Sequence, residues 1–115
     1  MGLFSSLFPP TVSAEEAAER IRARDAIALD VRERHEWNAG RISGAKHISL
    51  GTLAARRGEL DPARRYIAVC RSGGRSSRAV AQLRKAGFDV VNLKGGMTAW
   101  QRAGLPLEPR GGRVV

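Results

Sequence analysis

Several residue types that would define a function class are scarce in this sequence. A single cysteine, Cys70, excludes a disulfide within the chain, and the two histidines lie too far from it to form a metal-binding pattern. No apolar run approaches the roughly 20 residues that cross a membrane. The first ten residues contain no Lys or Arg, so no secretory signal is expected. These absences favour a globular protein of a reducing, cytoplasmic compartment, with no membrane partner, metal or other cofactor.

Positive charge is the property that the chain has in excess. Lys and Arg number 20 against 11 Asp and Glu, a formal net charge of +9. A basic domain is a candidate for nucleic-acid binding. The arginines are dispersed along the chain, however, and aromatic residues make up only 5% of it without alternating with basic ones. We therefore expect no nucleic-acid partner, and interpret the charge as solvated surface that also attracts anionic reactants or an acidic partner.

Hydrophobic periodicity predicts strands that alternate with helices in one domain. Ser13 and Glu16 form a capping box that begins a helix running to about Arg24. Strands are predicted at 26–31, 46–50, 66–70 and 90–93, further helices at 50–57, 76–86 and 96–103, and a polar loop at 32–44. This alternation is typical of an α/β fold with a parallel sheet. We expect a domain at 10–108, an N-terminal tail at 1–9 and a loose C-terminal tail at 109–115.

The chemistry of the chain is concentrated in the loop that follows the predicted strand 66–70. Cys70 ends that strand, and residues 71–76 read Arg-Ser-Gly-Gly-Arg-Ser. Open α/β sheets bind their ligands at this end of a strand, next to loop amides and the positive end of a helix. The amides, with Arg71 and Arg75, are expected to lower the pKa of the thiol. Gly73 and Gly74 are expected to supply the positive φ angles of such a loop.

The spacing of the loop separates two kinds of cysteine chemistry. Cysteine phosphatases place five residues between the cysteine and an arginine, so that the loop encircles a phosphate. Here four residues separate Cys70 from Arg75, and Ser76 occupies the phosphatase arginine's position. The loop is one residue short for a phosphate and better fits a single added sulfur. A small cysteine phosphatase or arsenate reductase remains the less favoured alternative.

Taken in order, four segments resemble the single-domain rhodaneses, which are thiosulfate or persulfide sulfurtransferases. They are residues 28–33, with Asp-Val-Arg at a strand end; 36–45, beginning Glu-Trp; the loop 70–76; and 93–106, with Gly-Gly-Met-Thr-Ala-Trp. Two departures are visible. Arg41 stands where the family usually has His, and Gly74 stands where Asn is common. Neither removes the nucleophile.

The resemblance implies a fold and an activity. The fold is a three-layer α/β structure with a central parallel sheet of about five strands. Cys70 would take a sulfane sulfur from thiosulfate or another persulfide donor and pass it to a thiol or to cyanide. Arg71 and Arg75 would hold the anionic end of the donor, and Ser72 and Ser76 would donate hydroxyl hydrogen bonds to the persulfide. Ser76 is alternatively the N-cap of the following helix.

Residues outside the loop are expected to support it. Asp30 and Arg32 end a neighbouring strand. Asp30 is expected to accept hydrogen bonds from loop N–H groups, and Arg32 to pair with Glu33 or Glu36. His35 and His47 are interpreted as surface or packing groups rather than catalysts, and Trp37 and Trp100 are expected to anchor the core.

A second function uses the same loop. The domain would then be a persulfide carrier, loaded by another enzyme such as a cysteine desulfurase, that delivers sulfur to a partner in a relay. The sequence does not separate an enzyme from such a carrier.

Overall fold

A parallel sheet of five strands organises the structure, a computed structural model that describes residues 9–115. The strands are β1 (Thr11–Val12), β2 (Ile27–Asp30), β3 (Lys46–His47), β4 (Arg65–Val69) and β5 (Asp89–Leu93). Their order is β1-β5-β4-β2-β3, and every neighbouring pair is parallel. In the register of the three central strands, Ala68 of β4 lies between Leu29 of β2 and Asn92 of β5. The α/β prediction is confirmed.

Helices cover both faces of the sheet. They are α1 (Ala14–Arg22), α2 (Arg34–Ala39), α3 (Leu53–Arg56), α4 (Gly74–Lys85) and α5 (Gly96–Arg102), with 3₁₀ turns at Leu50–Thr52 and Arg57–Glu59 beside α3. Side chains alternate between the faces of β4, so that Ile67 and Val69 pack with α1 and α5 whereas Ala68 packs with α3 and α4. Cys70 lies in the second of these cores.

Local signals explain several of the helix ends. The Ser13 side chain accepts a hydrogen bond of 3.1 Å from the Glu16 N–H, as predicted for the start of α1. Trp100 is buried in α5, and its Nε1–H donates to the Pro106 carbonyl at 2.9 Å, which confirms it as a core residue. Trp37 is only half-buried and stacks on His47 with the ring centroids 4.9 Å apart. The expectation that Trp37 anchors the core is therefore wrong.

Residues 32–44, predicted to be a loop, contain α2. Glu33 is its N-cap, and the Glu33 N–H donates to Glu36 Oε1 at 2.9 Å. The N-cap is a glutamate instead of the Ser, Thr, Asp or Asn that usually marks a helix start, so the signal was missed. The strand predicted at 46–50 is limited to β3, and β1 is an edge strand of two residues, too short to show a periodicity.

The segment after residue 108, expected to be loose, is packed against the domain. The Arg113 N–H donates to the carbonyl of Ala39, the last residue of α2, at 2.9 Å. Gly40 makes this approach possible, because a Cβ there would lie 2.6 Å from the Arg113 carbonyl oxygen. Val114 adds a contact to the core beneath α1 and α5. Residues 1–8 of the predicted N-terminal tail (1–9) lie outside the part of the chain that the structure describes.

Candidate active site

The loop that carries Cys70 joins the carboxyl end of β4 to α4. Gly73 is the N-cap of α4 and has a φ of +113°, which an L side chain rarely adopts. Gly74 begins the helix and does not have a positive φ, contrary to the sequence-based expectation. Ser76 is therefore inside the first turn of α4 and is not its N-cap. The helix begins two residues earlier than predicted, and its first amides face the loop.

The Cys70 sulfur is buried but receives hydrogen bonds. The residue is only 1% exposed, yet the Gly73 N–H points at Sγ from 3.0 Å and the Ser76 hydroxyl lies 3.2 Å from it. Burial raises the pKa of the thiol, whereas hydrogen bonds from Ser76 and from the N–H groups of Gly73 and Ser72 lower it. The net direction is a Cys70 pKa below the usual value. Such an environment favours a thiolate, the reactive form of cysteine.

The N-terminus of α5 holds the cysteine loop through two backbone hydrogen bonds. The Met97 N–H donates to the Cys70 carbonyl at 2.8 Å, and the Thr98 N–H donates to the Arg71 carbonyl at 3.0 Å. Gly96 allows this contact, since it has a φ of +59° and a Cβ there would lie 2.4 Å from the Cys70 carbonyl oxygen. The glycine pair 95–96 was recognised in the sequence as part of a motif, but its contact with the cysteine loop was not predicted.

Arg75 forms an ion pair with α2 that the sequence did not assign. Its Nη1 and Nη2 lie 2.7 and 2.8 Å from the two carboxylate oxygens of Glu36. This pairing lowers the pKa of Glu36 from 4.5 to about 2 and raises the pKa of Arg75. Arg75 thus serves to tie the loop to α2. Arg71 and Ser72, also predicted to bind the donor, are exposed on the loop.

Asn92 is a polar neighbour of the loop that sequence reasoning missed. This β5 residue is 6% exposed, with Oδ1 2.6 Å from the Ser76 hydroxyl oxygen and Nδ2 3.1 Å from the Gly73 carbonyl oxygen. A polar residue inside the predicted strand 90–93 was the only signal for it. Asn92 connects β5 to Gly73 and Ser76, two of the residues that donate to the Cys70 sulfur.

Asp30 and Arg32 form a buried ion pair at the end of β2. Arg32 Nη2 lies 2.7 Å from Asp30 Oδ2, and the same nitrogen donates to the Gly40 carbonyl at 2.8 Å. Asp30 also accepts the Arg32 N–H at 3.1 Å. The prediction of an ion pair was correct, but its partner is Asp30 instead of Glu33 or Glu36. Through Arg32, which donates to the carbonyl groups of Glu36 and Gly40, the pair ties α2 to the end of β2.

The histidines have no contact with the Cys70 sulfur. His47 Nε2 hydrogen bonds to the Arg32 carbonyl oxygen at 2.7 Å, and its ring stacks on Trp37. His35 is exposed on α2. Across residues 9–115, no three His, Cys, Asp or Glu side chains are grouped to hold a metal. No helix in this part of the chain is long and apolar enough to span a bilayer.

A cavity on one face of the sheet does not contain the cysteine loop. It has a volume of about 570 Å³ and lies at the amino ends of the strands, between Ile21, Ile42, Arg64 and Trp100. Its lining includes none of the predicted site residues. The cysteine loop lies instead at the carboxyl ends of the strands.

Comparison with known proteins places the fold and the loop in one family. The family model of the rhodanese-like domain matches residues 13–103. The chain belongs to the rhodanese-like family. It is 38% identical over 91 residues to the putative sulfurtransferase YtwF of Bacillus subtilis, covering 78% of this chain and 88% of that protein. It is 33% identical over 98 residues to the thiosulfate sulfurtransferase GlpE of Actinobacillus succinogenes, covering 84% of this chain and 88% of that protein.

A solved structure agrees with the rhodanese-like assignment. The crystal structure of a rhodanese-related protein from Thermoplasma volcanium superposes with a TM-score of 0.82 at 30% sequence identity. The match covers 85% of this chain and 96% of the other. The three-layer arrangement expected from the sequence is therefore that of the family.

Proposed function

We propose that this rhodanese-like domain is a sulfurtransferase whose nucleophile is Cys70. The thiolate attacks the outer sulfur of thiosulfate, the S–S bond breaks, and sulfite leaves with the bonding electrons. A Cys70 persulfide anion remains, and a thiophilic acceptor such as a thiol or cyanide removes its outer sulfur. Charge balances in the first step, because a monoanionic thiolate and a dianionic donor yield a monoanionic persulfide and dianionic sulfite.

The observation that carries the proposal is the set of donors around the Cys70 sulfur. A Gly73 amide at 3.0 Å and a Ser76 hydroxyl at 3.2 Å converge on Sγ at the carboxyl end of a central strand. Donors held beside the sulfur stabilise negative charge on the attacking and product sulfur. The relative named thiosulfate sulfurtransferase supports thiosulfate as one donor.

We assign the anionic end of the donor first to Arg71. Arg71 is exposed on the loop, whereas Arg75 is engaged by both oxygens of Glu36. That bidentate pair uses two of the five N–H groups of Arg75 and neutralises its charge, so Arg75 is the weaker candidate for holding an anion. The exposed Ser72 is the further donor available at the loop. In this assignment Arg75 shapes the loop, and Arg71 neutralises the substrate.

Intact-mass analysis tests the chemistry and the site together. The purified chain is incubated with thiosulfate, desalted and weighed, and then treated with cyanide. We expect a gain of one sulfur atom that cyanide removes as thiocyanate, and no gain for Cys70→Ser. A native chain that never gains sulfur from thiosulfate, or a Cys70→Ser variant that gains it equally, would contradict the proposal.

Mass analysis with a second sulfur source separates the enzyme from the carrier. The two share the persulfide and differ in how it is formed. If thiosulfate loads Cys70 slowly but a cysteine desulfurase with cysteine loads it rapidly, the carrier is the correct function. If the chain hydrolyses an aryl phosphate instead, the phosphatase alternative replaces both.

A further inference from the structure

The side-chain amide of Asn92 has a fixed orientation behind the cysteine loop. Its Nδ2 lies 3.1 Å from the Gly73 carbonyl oxygen, which can only accept a hydrogen bond, so the NH₂ group faces Gly73. The amide oxygen Oδ1 must then face the Ser76 hydroxyl, 2.6 Å away. Because Oδ1 can only accept, the Ser76 proton is the one hydrogen available to this contact.

The Ser76 hydroxyl is therefore shared by competing acceptors. It is fully buried, with Asn92 Oδ1 at 2.6 Å, Cys70 Sγ at 3.2 Å and the Gly73 carbonyl oxygen at 3.3 Å. A hydroxyl carries one proton and two acceptor lone pairs. When the proton points to Asn92, a lone pair faces the sulfur, which suits a protonated thiol. A thiolate requires the opposite orientation.

We propose that Asn92 is a positioning residue that holds the Ser76 proton away from Cys70 until the sulfur becomes anionic. Ionisation of the thiol, or formation of the persulfide, turns the hydroxyl from Asn92 Oδ1 to the sulfur. Asn92 therefore opposes ionisation of Cys70 and keeps the resting thiol less reactive than the loop alone would make it. This rests on Cys70 being the nucleophile of the proposed function, but the test below uses no sulfur donor.

The charged groups around the sulfur are left unchanged by the test. Arg75 is the cation whose charge interacts with Cys70, and it is paired with Glu36 from α2, whose pKa is about 2. Arg71 follows Cys70 directly, and the buried Asp30–Arg32 pair ends the neighbouring strand. Because Asn92→Leu changes none of these charges, a shift of the alkylation midpoint in that variant is assigned to the contacts of the Cys70 sulfur.

Asn92→Leu removes the competing acceptor while keeping the approximate size of the side chain. The Gly73 carbonyl stays paired in this variant, because the Ser77 N–H already donates to it at 3.0 Å. We expect the pH midpoint of iodoacetamide alkylation to fall by about one unit, roughly a tenfold rise in the thiolate-to-thiol ratio. Asn92→Gln is the matched control, since it retains an uncharged amide oxygen that can accept the Ser76 proton, and its midpoint is expected near the native one.

Ser76→Ala and Asn92→Leu together form a double-mutant cycle. If Asn92 acts through the Ser76 hydroxyl, Ser76→Ala and Ser76→Ala/Asn92→Leu have the same alkylation midpoint, so the effect of Asn92→Leu disappears. An Asn92→Leu midpoint equal to or above the native value overturns the proposal, as does a decrease that persists without the Ser76 hydroxyl. Far-UV circular dichroism on each variant verifies the fold. If Asn92→Leu does not fold, Asn92→Val, which also lacks an acceptor, is measured with the same expected direction.

Discussion

At the scale of single residues, the site depends on backbone groups that two glycines bring close to Cys70. Gly73 turns its N–H towards the sulfur, and Gly96 allows α5 to donate to the Cys70 and Arg71 carbonyls. Both glycines have positive φ angles, but only at Gly96 would an added Cβ lie within 3 Å of backbone atoms. Any side chain at position 96 would therefore displace the cysteine loop.

Gly96→Ala is expected to lower both stability and sulfur transfer. The added methyl group would meet the Cys70 and Arg71 carbonyl oxygens, so the loop must shift at a cost of about 2–4 kcal/mol in the free energy of unfolding. Urea denaturation and thiocyanate release measure the two effects. Gly104→Ala is the matched control, because its φ of +71° adds backbone strain with no atom near the new Cβ. Equal losses for the two variants would mean that the loop contact is unimportant.

At the scale of secondary structure, α2 is tied to the cysteine loop by one carboxylate. Glu36 is largely buried, and its oxygens bind Arg75 of α4 while one of them also accepts the Glu33 N–H. A single side chain thus begins one helix and holds the first turn of another. Two elements far apart in sequence are thereby joined beside the cysteine loop.

Glu36→Gln is expected to destabilise the fold by about 2 kcal/mol near neutral pH, since each unit of pKa depression corresponds to about 1.4 kcal/mol and partial exposure of Arg75 reduces the total. Folding lowers the pKa of Glu36 from 4.5 to about 2. The contribution is therefore present above about pH 4.5 and is lost as the pH falls towards 2. Chemical denaturation across this range should show the native and Glu36→Gln curves converging on the acid side.

Glu59→Gln is the control for this pH effect. The pKa of Glu59 is also lowered to about 2, by hydrogen bonds from Arg56 and Lys46. Its side chain is exposed, however, so solvent screens the interaction and the substitution should leave stability nearly unchanged. A gap between native and Glu36→Gln that stays constant with pH would show that the ion pair is not its cause.

The Asp30–Arg32 pair predicts a large loss of stability for Arg32→Met. Arg32 is fully buried, and its removal leaves the Asp30 carboxylate without its ionic partner and the Gly40 carbonyl without a donor. A cost of about 3–5 kcal/mol is expected in urea denaturation. Arg65→Met removes an ion pair with Asp89 whose side chains are 63% and 56% exposed, and should cost well under 1 kcal/mol. Similar costs for both would contradict a structural role for the buried pair.

The elements differ in how well the sequence could predict them. The strand–loop–helix around Cys70 could be predicted because an apolar run, a glycine pair and a helical stripe are all local. α2 could not, because glutamate is an unusual N-cap, and β1 is too short to have a pattern. The pairs Glu36–Arg75 and Ser76–Asn92 are separated by 39 and 16 residues, and only the folded chain brings them together.

At the scale of the whole molecule, the net charge of +9 should steer anionic donors to the site. We expect kcat/KM for thiosulfate to fall several-fold as salt rises from about 10 to about 500 mM, because screening shortens the reach of surface charge. An uncharged organic trisulfide donor serves as the control and should respond weakly. If kcat/KM for thiosulfate does not change with salt, the surface arginines do not steer the donor and serve only to keep the surface solvated.

The stacking of Trp37 on His47 gives the chain an internal optical probe. Trp37 follows Glu36, the residue that binds Arg75, and the Arg41 guanidinium carbon lies 5.0 Å from the centre of the indole ring. Any rearrangement of the loop that reaches Glu36 should alter the fluorescence of this indole. Trp100, 3% exposed beside the distant cavity, would supply a steady background emission. Loop movement that accompanies sulfur loading and extends to Glu36 would therefore be visible as a change in intrinsic emission, in real time and without an added dye.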